Sequence, residues 1–398
     1  MSTAGFFQWP QWASVCCLGL LSCLLLLHSF EMYMLRRPRH ALGNVTKDKS
    51  FAKFQKQYLV VYGLVMFADW LQGTHMYSLY QSYNMNVSTL FLTGFVSSLL
   101  FGKFVGILVD KYGRRNACFM YCILEIIINL SEEVPIMAVL MVGRVLGGIS
   151  TSLLFSSFES WMVFEHRRRG FAECLMGETF ALGSEINGIV AVLAGFAAQL
   201  AADISGSIGP FRAAVIVTAI AALIIVSWPE NYGAMVEYKQ KNACVTEDKF
   251  SRDEIVLTNN SYALGICYSL FEGAVYVFVF LWFPSLQAVV PNGDMPGGLV
   301  FSCFMLCIAI GGKLFSVISN FGIREEMLLL ATTAASVVAL LIPTVSNDYR
   351  WILGGFLVFE ICVGLQSPCC ATLRGKYFSI TKDWRLKLLC KQSTLLWM

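Results

Sequence analysis

Ionisable residues inside long apolar runs are the first candidates for chemistry in this sequence. The set comprises Asp69, Arg144, Glu185, Glu272 and Glu360. An isolated charge in apolar surroundings is costly, so such residues pair with one another, line a water-filled cavity or bind protons. We therefore expect most of them to face a central cavity or to be protonated.

Arg144 is the most informative member of this set. Counting about 1.5 Å per residue places it roughly 12 to 14 Å below the outer membrane surface. An arginine there either clamps two helices together or acts on a substrate or proton, and the sequence leaves both roles open. A buried arginine among amide and hydroxyl groups is compatible with a tetrahedral oxyanion. Asp69 lies at a similar depth, where it can pair with Arg144, and Gln72 can share the helix face of Asp69.

The patterns of enzymes and of nucleic-acid-binding proteins do not occur in the sequence. It has no paired nucleophile and base and no phosphate-binding glycine loop. The four histidines lack metal-ligand spacing, and the net charge of +3 is too small to indicate a nucleic acid partner. The 14 cysteines lie in apolar runs or on segments assigned to the cytoplasm, so we interpret them as packing residues. Neither an enzyme nor a cofactor nor a metal site is predicted.

The elements that must position these residues are membrane helices. The 398 residues are 57% hydrophobic and 14% charged, against roughly half and a quarter in soluble domains. A helix needs about 20 apolar residues to cross the hydrocarbon core of a bilayer. With that length the sequence predicts an all-α polytopic membrane protein embedded in lipid. The predicted helices lie near residues 11–35, 57–80, 88–108, 117–131, 135–163, 171–201, 211–229, 258–283, 297–318, 326–343 and 351–371.

The basic residues orient these helices, because lysine and arginine concentrate in cytoplasmic loops. Of the 29 basic residues, 24 fall on one side when the predicted helices alternate, two fall on the other side and three lie within helices. The sequence therefore predicts a multi-pass protein of the cell membrane with its N-terminus outside and its C-terminus in the cytoplasm.

The loops divide the chain into five predicted segments. An N-terminal helix and a basic linker occupy residues 1–56, and a first half of six helices occupies residues 57–229. A cytoplasmic loop at 230–257 separates it from an incomplete second half of four helices at 258–373. A basic cytoplasmic tail follows at 374–398.

A cytoplasmic turn between two predicted helices carries the most specific local motif. Its sequence is Gly106-Ile-Leu-Val-Asp110-Lys-Tyr-Gly113-Arg114-Arg115. The glycines let helix ends approach closely, and the aspartate can form a charge network with the arginines that locks one gating state. A generic basic loop would explain the arginines, but neither the aspartate nor the glycine spacing. The motif resembles the loop motif of the major facilitator superfamily, which implies two halves and alternating access.

Further runs narrow the resemblance to one family. They are Ala68-Asp-Trp-Leu-Gln72, the stretch from Gly143 to Trp161, and the stretch from Leu270 to Trp282. Over about residues 55 to 375 the chain resembles the eukaryotic molybdate-anion transporters.

This resemblance implies high-affinity uptake of molybdate or a similar oxyanion. Arg144 would then contact the oxyanion, directly or through water, and Gln72 and Asn187 would donate to it or orient it. Asp69 or Glu272 would take up a coupling proton.

The chain departs from the pattern of the superfamily in its helix count. Members have twelve core helices, and this family adds one at the N-terminus, which fits residues 11–35. Ten core helices remain here, so we expect the last two core helices to be missing. Two alternatives therefore stay open: a non-transporting sensor or truncated isoform that modulates the full-length transporter, and a carrier for another small solute.

Overall fold

The computed structural model describes residues 10–34, 49–232, 259–290 and 295–377. Within these ranges the secondary structure is helical and contains no strand, which confirms the predicted all-α fold. Much of the predicted basic linker, most of the central loop and nearly all of the tail lie outside these residues.

Each predicted helix corresponds to one long helix of the structure, except that the prediction at 57–80 also covers most of the short helix α3. The helices are α1 Gln11–Met34, α2 Lys49–Gly73, α3 Met76–Ser82, α4 Val87–Tyr112, α5 Arg114–Ser131, α6 Met137–Arg168, α7 Glu173–Ser205, α8 Gly209–Ile225, α9 Asn259–Gln287, α10 Gly297–Asn320, α11 Glu325–Val345 and α12 Tyr349–Tyr377. A single 3-10 turn, Gly206–Ile208, joins α7 to α8.

Seven helical segments among the described residues are long and apolar enough to cross a membrane. The longest, Leu175–Ile225, includes most of α7 and all of α8. An eighth span results if α4, which bends by 56° at Lys103, counts as one crossing. Neither α2 nor α5 meets the same criterion, because both carry polar residues that the sequence analysis assigned to a site or a gate.

The described residues fall into two compact units. Unit A contains residues 49–187 and 205–232, and unit B contains residues 10–34, 188–204, 259–290 and 295–377. The boundary between the two runs through α7, after Asn187.

Unit A is held together by close helix packing. Its α4 and α5 pack against α6, and α8 packs against α2 and α5. At Gly148 on α6 a Cβ atom would collide with Ser97 and with the backbone of Ser98 on α4, so only glycine permits this approach. The Ser97 hydroxyl donates to the Val145 carbonyl oxygen at 2.7 Å across the same contact.

Unit B contains the predicted extra helix α1, which packs against α10. The Lys313 ammonium on α10 lies 2.9 Å from the Glu31 carboxylate on α1, and Ser316 donates to that carboxylate at 2.6 Å. Lys313 and Glu31, two charges that would be costly alone in a membrane, therefore neutralise each other between two helices. Further packing joins α12 to α9, α10 and α11.

Candidate functional site

Arg144 is held by a buried ion pair within unit A. Its Nη2 lies 2.5 Å from Oε1 of Glu132, and the two side chains are 11% and 0% exposed. The Tyr80 hydroxyl donates to the same carboxylate oxygen at 2.9 Å. The guanidinium also lies over the Tyr80 ring, 5.7 Å from its centroid. Arg144 and Tyr80 therefore fix one carboxylate between α3, the end of α5 and α6.

This geometry corrects the pairing that the sequence analysis expected for Arg144. The carboxylate that pairs with it is Glu132, rather than Asp69. The reason is local: α5 ends at Ser131 and α6 begins at Met137, so the short turn between them places Glu132 beside the first turns of α6. A count of residues gave a similar depth for Asp69 and Arg144, but it gave no information about the direction of either side chain.

Part of the hydrogen-bonding capacity of the pair is unused among the described residues. Arg144 Nη1 donates to the Met76 sulfur at 3.0 Å, a weak acceptor. Neither Arg144 Nε nor Glu132 Oε2 has a hydrogen-bond partner in the described part of the chain, although both atoms are buried. A buried donor without an acceptor is unfavourable, so an oxyanion or a water molecule at this point would stabilise it.

A second cluster of polar side chains surrounds Glu125, which lies on α5 seven residues before Glu132. Its carboxylate accepts hydrogen bonds from Gln72 Nε2 at 2.8 Å and from the Ser150 hydroxyl at 2.6 Å. Gln72 is therefore directed at Glu125. Asp69, one turn earlier on α2, is half-buried and interacts electrostatically with Glu125.

Asn187 also lies in unit A, where it connects α7 to α2. The indole N–H of Trp70 donates to its Oδ1 at 2.9 Å. This bond fixes the orientation of the amide, so Nδ2 is the end that can donate to a substrate. Asp69, Gln72, Arg144 and Asn187 thus belong to the same unit.

The remaining predicted acids have different surroundings. Glu272 belongs to unit B, where Tyr268 is its hydrogen-bond partner and Arg374 interacts with it electrostatically. Glu360, also in unit B, is buried on α12. Glu185 is exposed on α7.

The predicted gate motif lies at the junction of α4 and α5. Arg114 Nη2 lies 2.7 Å from Oδ1 of Asp110, and its guanidinium lies over the Phe164 ring. Gly113 between the helices has φ of 104°, a conformation that favours glycine. A Cβ atom there would also lie 2.6 Å from the Glu230 carboxylate carbon. Gly106 lies in α4, beyond the bend at Lys103.

Glu230 completes this junction, and sequence reasoning missed it. Its carboxylate accepts hydrogen bonds from the backbone N–H groups of Arg115 at 2.9 Å and Asn116 at 3.1 Å, at the start of α5. A carboxylate at a helix N-terminus satisfies free N–H groups and the helix dipole. The available signal was an acid directly after Pro229, at the end of the sixth core helix.

Comparison with known proteins identifies the family of the chain. Residues 30–366 match a family described as sugar transporters with twelve transmembrane segments. The molybdate-anion transporter of Xenopus laevis is 32% identical over 357 residues, which cover 84% of this chain and 75% of that protein. The molybdate-anion transporter of Takifugu rubripes is 33% identical over 361 residues, covering 83% and 74%.

Solved structures agree on the fold. A crystal structure of the peptide transporter POT in complex with sulfate has a TM-score of 0.67 and 14% identity, covering 89% of this chain and 88% of that one. At 14% sequence identity, this structural similarity shows only that the two folds are alike. The similarity in sequence and the likeness in fold together show that this multi-pass membrane chain belongs to the molybdate-anion transporter family of the major facilitator superfamily.

Proposed function

We propose that this chain is a secondary transporter that takes up molybdate across the cell membrane by alternating access. The observation that carries the proposal is its identity of 32% with a molybdate-anion transporter over 84% of the chain. The chemistry of unit A supports an oxyanion, because a buried arginine lies in a region that also offers amide and hydroxyl donors. In this proposal the N-terminus faces outside and the C-terminus faces the cytoplasm.

The proposed substrate site centres on Arg144, with Gln72 and Asn187 as amide donors. Glu132 already occupies Nη2 of Arg144 in the structure. An oxyanion must therefore bind at the unpartnered Nε or replace Glu132, which makes the Arg144–Glu132 pair a competitor of the substrate. Asp69 is the acid of unit A proposed to complete the site, and either Asp69 or Glu272 of unit B takes up a coupling proton.

Uptake of radioactive molybdate by cells that express the chain tests this function. We expect uptake above that of cells without the chain, and we expect that glucose does not compete with molybdate. Glucose is chosen as competitor because the matching family is described as sugar transporters. Competition by glucose would favour a sugar carrier. If the chain takes up no molybdate but changes the uptake by a co-expressed full-length relative, the alternative of a non-transporting isoform that modulates the transporter is favoured.

The gate motif supplies a prediction about rate. Asp110→Asn is expected to change the uptake rate per surface molecule severalfold while folded protein stays at the wild-type level. Asp110 is 46% exposed and its partner Arg114 is 7% exposed. Asparagine keeps a side-chain oxygen that can accept from the buried guanidinium, so the loss of stability should be small. Uptake rate and surface labelling of the same cells measure the two quantities.

Glu230→Ala is the matched comparison at the same junction. Loss of a helix cap costs about 0.5–2 kcal/mol, so this variant should lower the thermal unfolding midpoint where Asp110→Asn does not. If Asp110→Asn is degraded as readily as Glu230→Ala, the motif is a structural staple and its gating role is wrong.

A further inference from the structure

Glu125 is a buried carboxylate whose hydrogen-bond partners among the described residues are all neutral. It is 5% exposed, and its carboxylate oxygens accept from Gln72 Nε2 and the Ser150 hydroxyl, with Asn129 Nδ2 more distant at 3.4 Å. None of these donors carries a charge. A buried carboxylate without a cationic partner is costly when ionised, and binding a proton removes that cost.

The charged and titratable groups around Glu125 come from three helices. Asp69 on α2, Tyr121 and Cys122 on α5 itself, and Arg144 on α6 all interact with it electrostatically. The positive charge of Arg144 is already paired with Glu132.

The other helices packed against α5 are α4 and α8. Their described charged side chains lie at helix ends. Asp110 pairs with Arg114, Lys111 lies over the Tyr112 ring, and Arg212 pairs with Glu133. These groups do not compensate the interior carboxylates.

A charge count shows the consequence for an anionic substrate. With every group ionised, Asp69, Glu125 and Glu132 carry three negative charges against the one positive charge of Arg144, so the net charge is two negative. Molybdate is a dianion, and it would be repelled by that net charge. Protonation of the carboxylates that lack a cation is therefore required before an oxyanion can approach Arg144.

Unpartnered polar atoms lie in the same region. Tyr121 and Asn129 are almost fully buried, and neither Tyr121 Oη nor Asn129 Oδ1 has a hydrogen-bond partner among the described residues. Tyr121 interacts electrostatically with both Glu125 and Asp69. Asn129 donates to the Glu125 backbone oxygen at 2.8 Å. A protonated carboxyl group supplies the O–H donor that the buried acceptors lack.

We propose that Glu125 and Asp69 form the proton-binding pair that couples proton movement to uptake, an inference that rests on the proposed function. Protons from the outer solution form one O–H bond on the Glu125 carboxylate and one on the Asp69 carboxylate before molybdate binds, which brings the charge of the four groups from two negative to zero. Both O–H bonds break when the protons leave on the cytoplasmic side, and no redox change is involved. Gln72, which donates to Glu125 and is also proposed to contact the oxyanion, links the protonation state to the substrate.

Purified full-length chain in liposomes tests the pair. Two quantities are measured for each protein: accumulation of molybdate driven by an inward proton gradient, and counterflow, which exchanges molybdate without needing a gradient. Glu125→Gln and Asp69→Asn should lower the ratio of accumulation to counterflow by roughly 5-fold or more. Both should flatten the fall of uptake as the outer pH rises. Glu133→Gln, a change to an exposed acid beside the same network, should behave as the wild type.

Ser150→Ala is a milder variant that keeps the carboxylate and removes one donor to it. The carboxylate of Glu125 loses one hydrogen bond, so the pH profile of uptake should differ from that of the wild type. An unchanged pH profile in Ser150→Ala, or an unchanged ratio in folded Glu125→Gln, would overturn the assignment while leaving molybdate transport in place. A wild-type chain that shows no counterflow of molybdate would instead overturn the proposed function.

Discussion

Replacing Glu132 by alanine is expected to destabilise the folded chain by about 3–5 kcal/mol, because it leaves the charge of Arg144 buried without a carboxylate. The Glu132 side chain is fully buried, and it also accepts a hydrogen bond from Tyr80. The midpoint of thermal unfolding, followed by size-exclusion chromatography of the detergent-solubilised protein, measures the change.

The neighbouring acid provides a matched control for this variant. Glu133 pairs with Arg212 at 2.7 Å, but the two side chains are 36% and 55% exposed. Glu133→Ala should therefore change stability by no more than about 1 kcal/mol. If Glu132→Ala and Glu133→Ala lower stability equally, burial of the Arg144–Glu132 pair does not determine its contribution to stability.

Arg144→Lys is expected to keep the chain folded and to weaken the apparent affinity for molybdate about tenfold or more, which corresponds to about 1.4 kcal/mol. Lysine preserves the charge that pairs with Glu132 but replaces a planar fork of five donors by one ammonium group. In Arg144, Nη2 binds Glu132 while Nε is left for an oxyanion. The single nitrogen of lysine cannot occupy both of these positions. The concentration dependence of molybdate uptake, corrected for surface expression, gives the affinity.

Two results separate the roles that remain open for Arg144. Arg212→Lys changes an exposed arginine of unit A that pairs with Glu133, the residue next to Glu132, and should leave the affinity unchanged. If Arg144→Lys also leaves it unchanged, Arg144 does not contact the oxyanion. Recovery of uptake in the double variant Glu132→Gln, Arg144→Gln would then assign it the role of a clamp, since neither charge is left buried alone.

The helices of this chain could be predicted from apolar runs, but their ends could not. The predicted helix at 57–80 begins at Lys49 in the structure, because Phe51 and Phe54 bury one face of a segment whose other residues are mostly polar. The same helix ends at Gly73, and α3 continues the chain after a turn. Amphipathic extensions and turns of this kind do not change the mean hydropathy enough to be detected.

The candidate site was only partly predictable for a physical reason. Single residues such as Arg144 are visible because a charge in an apolar run is unusual. Their partners depend on tertiary packing: Glu132 lies in the turn after α5 and not within an apolar run. Glu230 is 115 positions from Arg115, whose backbone N–H donates to it. The sequence contains no signal for which of several acids faces a given arginine.

Counterflow of molybdate in liposomes that contain only the purified chain tests the central proposal most directly. Liposomes loaded with unlabelled molybdate should take up radioactive molybdate from outside faster than protein-free liposomes, and the excess should be strongly reduced by Arg144→Lys at low substrate concentration. A folded, reconstituted chain that produces no counterflow above protein-free liposomes would contradict the proposal that this chain itself transports molybdate.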